Sequence, residues 1–132
     1  MGVDVGTVRV GIAVSDATGT VATPHGTVSR DADVAVRLAD LARELSCETV
    51  VVGLPKNLKG SDTDSTRDAR AVAHQLTEQG FDVQLWDERL SSVEAERVLL
   101  QAGRRREQRR DERDRIAAAI ILQGWLDARP RA

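Results

Sequence analysis

Aromatic residues are almost missing from this chain. Phe81, Trp86 and Trp125 are the whole set, with no tyrosine, in 132 residues. The core therefore has to be built from Val, Leu, Ile and Ala, and a base-stacking platform of the kind used by single-strand binders is nearly excluded. Cys47 is the single cysteine, which excludes a disulfide framework and a cysteine-based metal site. His25 and His74 are the two histidines; the first follows Pro24 in a predicted turn and the second falls inside a predicted surface helix, so zinc is disfavoured as well. No apolar run approaches the roughly 18 residues of a membrane span, and no charged-then-apolar leader opens the chain. No membrane partner is expected, and the cytoplasm is the expected compartment. The length is that of about one average domain, which predicts a single domain over 1–132.

What is present is charge, unevenly placed. The net charge of −2 hides a segment, Arg104 to Arg115, with seven arginines against Glu107, Asp111, Glu112 and Asp114. That local excess of three positive charges leaves −5 on the other 120 residues. An acidic body with one arginine-dense segment is compatible with local binding of a polyanion. A solvated helical face laced with i,i+4 ion pairs explains the same run equally well.

The hydrophobic period divides the chain. Val3 to Val14 alternates around Gly6-Thr7, the pattern of two antiparallel strands and a tight turn. Thr20 to Val28 supplies a third strand, which Pro24 pushes to an edge. Val34, Leu38, Leu41 and Leu45 then fall at helical spacing behind Ser29, Asp31 and Asp33, any of which can cap. Thr49 to Leu54 is a short continuous apolar run, as in a strand buried on both faces. A polar loop follows, then a helix with Ala69, Val72, Ala73 and Leu76 inward and Gly80 as its stop, then a strand over Phe81 to Trp86. Ser91-Ser92-Val93-Glu94 reads as a capping box for a helix to Gly103, and Asp111 to Leu126 as the last helix. Three antiparallel strands, two αβ units and two helices make an α/β three-layer arrangement on a mixed sheet. Residues 56–64 and 104–110 are polar and lack apolar anchors, and are predicted to be the least ordered parts.

Three places carry possible chemistry. Asp4 lies between Val3 and Val5 on a strand headed for the core, where a carboxylate is expensive unless something cationic meets it; a metal ion would do so, and turn amides are the plainer alternative. Asp87 and Glu88 follow a strand, at the carboxyl end where open α/β sheets bind ligands. Successive residues face opposite ways, so only one of the two is expected in a site, with Arg89 pairing with the other or with a phosphate. Acids before a capped helix also favour its dipole. Asp111 and Asp114 are three apart and share a helix face, where ion pairing with the surrounding arginines is the competing reading. Taken together, carboxylates from an early strand, a late strand and the last helix can converge on two hard divalent cations, Mg²⁺ or Mn²⁺, for phosphodiester cleavage.

The blocks DVGTVRVGIAVSD (Asp4–Asp16), TPHGTV (Thr23–Val28), VVVGLPKNLKGS (Val50–Ser61), DERLSS (Asp87–Ser92) and DRIAAAIILQGWL (Asp114–Leu126) cover nearly the whole chain in order. In them the chain resembles the YqgF (RuvX) family, pre-16S rRNA nucleases also described as Holliday junction resolvase-like proteins. The resemblance implies a ribonuclease H-like fold with a five-stranded mixed sheet. It implies a metal-dependent nuclease site with Asp4, Glu88 and Asp114 as catalytic acids and metal ligands, Asp87 and Asp111 being second choices. It also implies that Arg9, Lys56, Asn57 and Arg89 meet the substrate. Ser91 and Ser92 stand where the family usually has Thr, which preserves the caps. Only Met1-Gly2-Val3 precede Asp4, fewer residues than the family usually has; residues missing ahead of Asp4, a frayed first strand and a less rigid Asp4 site are expected from this.

The expected function is hydrolysis of structured nucleic acid, foremost 5′-end processing of pre-16S rRNA in ribosome biogenesis. The alternatives are a Holliday junction resolvase, which needs a dimer for two symmetric cuts, and a non-catalytic RNA-binding assembly factor. Monomer and homodimer both stay open. Asp4-Val5-Gly6-Thr7 also resembles the phosphate loop of the sugar kinase and actin superfamily, but those proteins clamp ATP between two such domains and this length holds one.

Overall fold

The computed structural model describes residues 1–90 and 106–129, and of 106–111 the backbone alone. The helix expected over Ser91 to Gly103 lies outside the described residues. The order is β1 (Gly2–Val5), β2 (Arg9–Ser15), β3 (Ala22–Ser29), α1 (Val34–Glu44), β4 (Thr49–Leu54), α2 (Asp64–Glu78), β5 (Asp82–Asp87), a 3-10 turn (Glu88–Leu90) and α3 (Arg106–Ala128). The five strands form one sheet in the order β3-β2-β1-β4-β5. The first three are antiparallel, and β1, β4 and β5 run parallel, so the sheet is mixed as expected.

Strand alternation sends each face to a different helix layer. Val3, Val5, Val10, Ile12, Val50 and Val52 pack with α1 and α2, whose inward residues include Leu38, Ala42, Val72 and Leu76. Ala13 and Val51 face α3, meeting Ala117, Ala118, Ile121 and Leu122. Each fully buried aliphatic side chain contributes about 1.5–3 kcal/mol, so this Val/Leu/Ile/Ala core stands in for the missing aromatics.

The α3 face is built for close approach. A Cβ on Gly2 would lie 2.6 Å from Leu122 Cβ, and one on Gly53 2.5 Å from Ile121 Cδ1. Both strands leave the side-chain layer out where the helix crosses. On the helix, Gly124 lies against the Trp86 indole, 3.0 Å from where its own Cβ would be. A helical glycine costs about 1 kcal/mol relative to alanine; seating the indole there offsets it.

Several local expectations are revised. The β1–β2 turn has three residues, Gly6 to Val8, closed by Gly6 N–H donating to Arg9 O at 3.1 Å. Pro24 does sit in the edge strand β3, where the register shifts opposite Ile12 and Ala13. Asp33 is the N-cap residue of α1 but makes no side-chain cap bond; Asp31 accepts from Asp33 N–H instead, at 2.9 Å. The last helix starts at Arg106, not Asp111, so 106–110 is helical rather than a linker. Fraying of β1 is not seen: Met1 O accepts from Val51 N–H at 2.8 Å and the Met1 amino group donates to Thr49 O at 2.9 Å.

Candidate active site

The carboxyl ends of the parallel strands β1, β4 and β5 meet at one edge of the sheet, the position where α/β sheets bind ligands. There a cleft of about 460 Å³ is lined by Asp4, Glu88 and Asp114 together with Arg9 and Arg113. Three acids spread over 110 positions of the chain thus share one opening. Each is placed by a different device.

Asp4 is set by the ladder. It points to the α3 face, is only 5% exposed, and lies opposite Gly11 of β2. A Cβ on Gly11 would come within 2.0 Å of the Asp114 carbonyl oxygen. Glycine there is what lets α3 descend onto β2 and bring Asp114 to the same end of the sheet as Asp4. Glu88 follows β5 directly, in the 3-10 turn, and its Cγ lies 3.2 Å from the position of a Cβ on Gly53.

Asp87 and Glu88 are placed apart, Asp87 ending β5 and Glu88 opening the 3-10 turn. Asp87 does not line the cleft. Its carboxylate accepts from Arg89 Nη2 at 2.6 Å, from Arg89 Nε at 3.0 Å and from the Arg89 backbone N–H at 3.0 Å. These bonds hold its carboxyl below the usual carboxylate range. Arg89 is thereby committed to Asp87 and lies over the 56–61 loop beside Gly60, whose φ of +81° and missing Cβ make room for it. The side chain of Asp111 lies outside the described residues.

Of the expected substrate contacts, Arg9 is in the cleft, with Nε 3.7 Å from Asp114 Oδ2. Lys56 and Asn57 belong to the neighbouring loop. Lys56 bridges to Asp62 in the backbone. Asn57 Oδ1 accepts from Lys59 N–H at 3.0 Å and Ser61 N–H at 2.9 Å, which closes a loop that composition alone marks as unanchored. The Thr63 and Thr66 hydroxyls both donate to Pro55 O, tying the start of α2 to the cleft wall at the end of β4.

Sequence reasoning missed Arg113, Ser65 and Asp68, all of which line the cleft. Arg113 was concealed inside an arginine run, and Ser65 and Asp68 stand in a helical turn with no motif of their own. Asp68 is gripped by Arg30 Nη1 and Nη2 at 2.8 and 2.6 Å, and Arg30 also donates to Gly6 O at 3.0 Å, so one guanidinium clamps the β1–β2 turn to α2. The Arg30 hydrogen bonds hold the Asp68 carboxyl below its ordinary value. His74 is exposed, 2.8 Å from Glu78, and takes no part.

Carboxylate oxygens on three separate elements are the donor chemistry of a hard divalent cation. Asp4 adds a carboxylate withdrawn from water, which gains most from such a charge. As they stand, no group of three or more His, Cys, Asp and Glu among the described residues is gathered closely enough to hold a metal. The set fits the cation in the chemistry of its donors, and Asp114 faces the Arg9 and Arg113 guanidinium groups.

Comparison with known proteins agrees over nearly the whole chain. The family model described as "RuvX: Holliday junction resolvase" matches residues 1–128. A protein of Mycobacteroides abscessus named "Putative pre-16S rRNA nuclease" is 48% identical over 99% of this chain and 82% of its own length. Proteins of the same name from Leifsonia xyli subsp. xyli and Myxococcus xanthus are each 47% identical over 97% of this chain, covering 84% and 87% of their own lengths. Among solved structures, Thermus thermophilus RuvC superposes with a TM-score of 0.56 at 16% identity, covering 96% of this chain and 93% of that one. The same protein in complex with a Holliday junction substrate gives 0.54 at 16% identity, over 96% and 92%. At that identity the likeness speaks for the fold, which is the ribonuclease H-like one. With the family model spanning 1–128 and relatives near half identical over almost every residue, the chain belongs to the RuvX family.

Proposed function

We propose that this protein is a nuclease, a metal-dependent phosphodiester hydrolase acting on structured nucleic acid, with 5′-end processing of pre-16S rRNA as its role. The observation that carries the reading is the shared cleft: Asp4, Glu88 and Asp114 open beside Arg9 at the carboxyl ends of the parallel strands. Asp4, Glu88 and Asp114 would hold Mg²⁺ or Mn²⁺. A bound divalent ion supplies Lewis acidity and an activated water for phosphodiester hydrolysis. The chain's own residues do the rest. The β1–β2 ladder holds the Asp4 carboxylate in place, Gly11 admits the Asp114 backbone, and Arg9 meets backbone phosphate. The arginine-dense start of α3 adds a sequence-independent attraction for a polyanion.

The rRNA role is supported by the names borne by relatives at 47–48% identity. Resolution of four-way DNA junctions is the second reading, favoured by the description of the family model. A processing enzyme can act as a monomer, while symmetric cuts across a junction call for a homodimer. Either substrate puts the site of action in the cytoplasm. No helix among the described residues is long and apolar enough to cross a membrane.

The test is side-by-side cleavage of a pre-16S rRNA fragment, an unstructured RNA and a four-way DNA junction, with Mg²⁺ or Mn²⁺, alongside sedimentation of the protein with each. Preferred cleavage of the rRNA fragment by a monomer is the expected outcome. Paired cuts in the junction by a dimer would replace it with the second reading. Salt-dependent RNA binding without cleavage under any divalent ion would leave an assembly factor.

A further inference from the structure

Among the described residues, Arg113 is the one in the cleft with a buried side-chain donor that has no hydrogen-bond partner. Its Nε is shielded from solvent and makes no hydrogen bond among the described residues. It stands 3.9 Å from Asp114 Oδ1, while Arg9 Nε stands 3.7 Å from Asp114 Oδ2. Two guanidinium groups therefore straddle one carboxylate at distances where Coulomb attraction acts but no hydrogen bond forms.

The contrast with neighbouring arginines is direct. Arg30 grips Asp68 at 2.6 Å and Arg89 grips Asp87 at 2.6 Å, each through more than one donor. Those two guanidinium groups are spent on carboxylates. Arg9 and Arg113 line the cleft, approach Asp114 only at ion-pair distance, and leave Arg113 Nε without a hydrogen bond among the described residues. A phosphodiester entering this cleft, beside the side chains of Asp4, Glu88 and Asp114, would be met by the positive charge of Arg9 and Arg113. A planar guanidinium that still has its donors matches a phosphate group through paired hydrogen bonds.

We propose that Arg113 is a phosphate-binding residue of the cleft, gripping the substrate backbone together with Arg9; the assignment rests on the nuclease reading above. Arg113 thus serves the substrate and not the upkeep of Asp114. A guanidinium dedicated to Asp114 would hold it as Arg89 holds Asp87, with hydrogen bonds.

Equilibrium binding of a folded RNA hairpin and a four-way DNA junction, measured in EDTA over a range of salt, separates the two roles without any cleavage. For Arg113→Gln the expected result is a roughly tenfold loss of affinity at low salt, the size of one charge-assisted hydrogen-bond contact. The slope of log K against log salt should also shrink by about 0.7–0.9, one phosphate contact fewer. Arg113→Lys keeps the charge and should keep the slope, with thermal midpoints of all three proteins alike. Wild-type affinity and slope in Arg113→Gln would overturn the proposal. So would a loss confined to the thermal midpoint or to Mn²⁺ affinity, which is the signature of a counterion for Asp114. Wild-type protein that binds both probes yet cleaves neither with Mg²⁺ or Mn²⁺ would overturn the nuclease reading alone, and the slopes would still decide Arg113.

Discussion

The carbonyl oxygen of Asp114 fills the space that a side chain on Gly11 would occupy, 2.0 Å from where its Cβ would be. Gly11 in turn is the cross-strand partner of Asp4. One glycine thus brings together two carboxylates that are 110 positions apart. Gly11→Ala forces backbone against backbone, with no flexible side chain to give way. Overpacking of that kind costs about 1–3 kcal/mol. Displacing Asp114 by even 1 Å should cut cleavage by about 10²-fold. The paired measurements are a denaturant melt and a cleavage rate at a temperature where the variant is still folded. A variant that loses stability yet cleaves at the wild-type rate would show that Asp114 need not sit where α3 now places it.

Adjacent acids should behave in opposite ways. Glu88 faces the cleft and Asp87 is locked to Arg89. Outer-shell changes at metal sites typically cost 10–100-fold, so Glu88→Gln should exceed about 100-fold in cleavage rate. Asp87→Asn should act mainly by releasing Arg89, with a cleavage loss of less than about 10-fold and a small change in stability, as expected for a part-exposed pair. Equal losses in the two variants would contradict the division between them.

Stability should depend on pH through the cleft wall. Arg30 holds the folded Asp68 carboxyl below its ordinary value, so the folded state binds fewer protons there than the unfolded chain. The contribution is therefore complete above the unfolded carboxylate value, about 3.9, and is lost as pH falls through the lower folded one. At pH 7 Asp68→Asn should destabilise by at most about 1 kcal/mol, because the pair is partly exposed and screened. Thermal melts of both proteins from pH 7 downward should converge in acid. A gap that stays constant down to pH 2 would remove the ion pair as its cause.

The loop beside the cleft should depend on Asn57. Its Oδ1 accepts from Lys59 and Ser61 N–H groups, each bond worth about 1 kcal/mol. Asn57→Ala should open the loop, seen as faster amide exchange and protease nicking across 57–61, with the global melt nearly unchanged. Unaltered protection in the variant would return Asn57 to a purely substrate-facing role.

The fold was largely legible because its signals are local. Alternation around Gly6-Thr7, the apolar run Thr49 to Leu54 and the helical spacing of Val72, Ala73 and Leu76 each mark one element without reference to the rest. Asp4 could be singled out the same way, as a charge between two core valines. Long-range placement could not. Nothing near Gly11 in sequence tells that a helix carbonyl a hundred residues later needs its missing Cβ, and Arg113 looks like its neighbours until α3 is laid on β2. The loop at 56–62 has anchors that an apolar count overlooks: Asn57 Oδ1 accepts from the Ser61 N–H, the Thr63 hydroxyl donates to Pro55 O, and the Thr66 hydroxyl accepts from the Thr63 N–H.

The central claim, that the Asp4 cleft cleaves nucleic acid, is tested most directly by one matched pair. Asp4 is 5% exposed, and asparagine keeps its shape while removing its charge. With Mg²⁺ or Mn²⁺ present, wild-type protein should cleave a structured pre-16S rRNA fragment while Asp4→Asn, folded with an unchanged circular dichroism spectrum, falls to background. Equal cleavage by the two proteins would contradict the account and trace the activity to something other than this cleft.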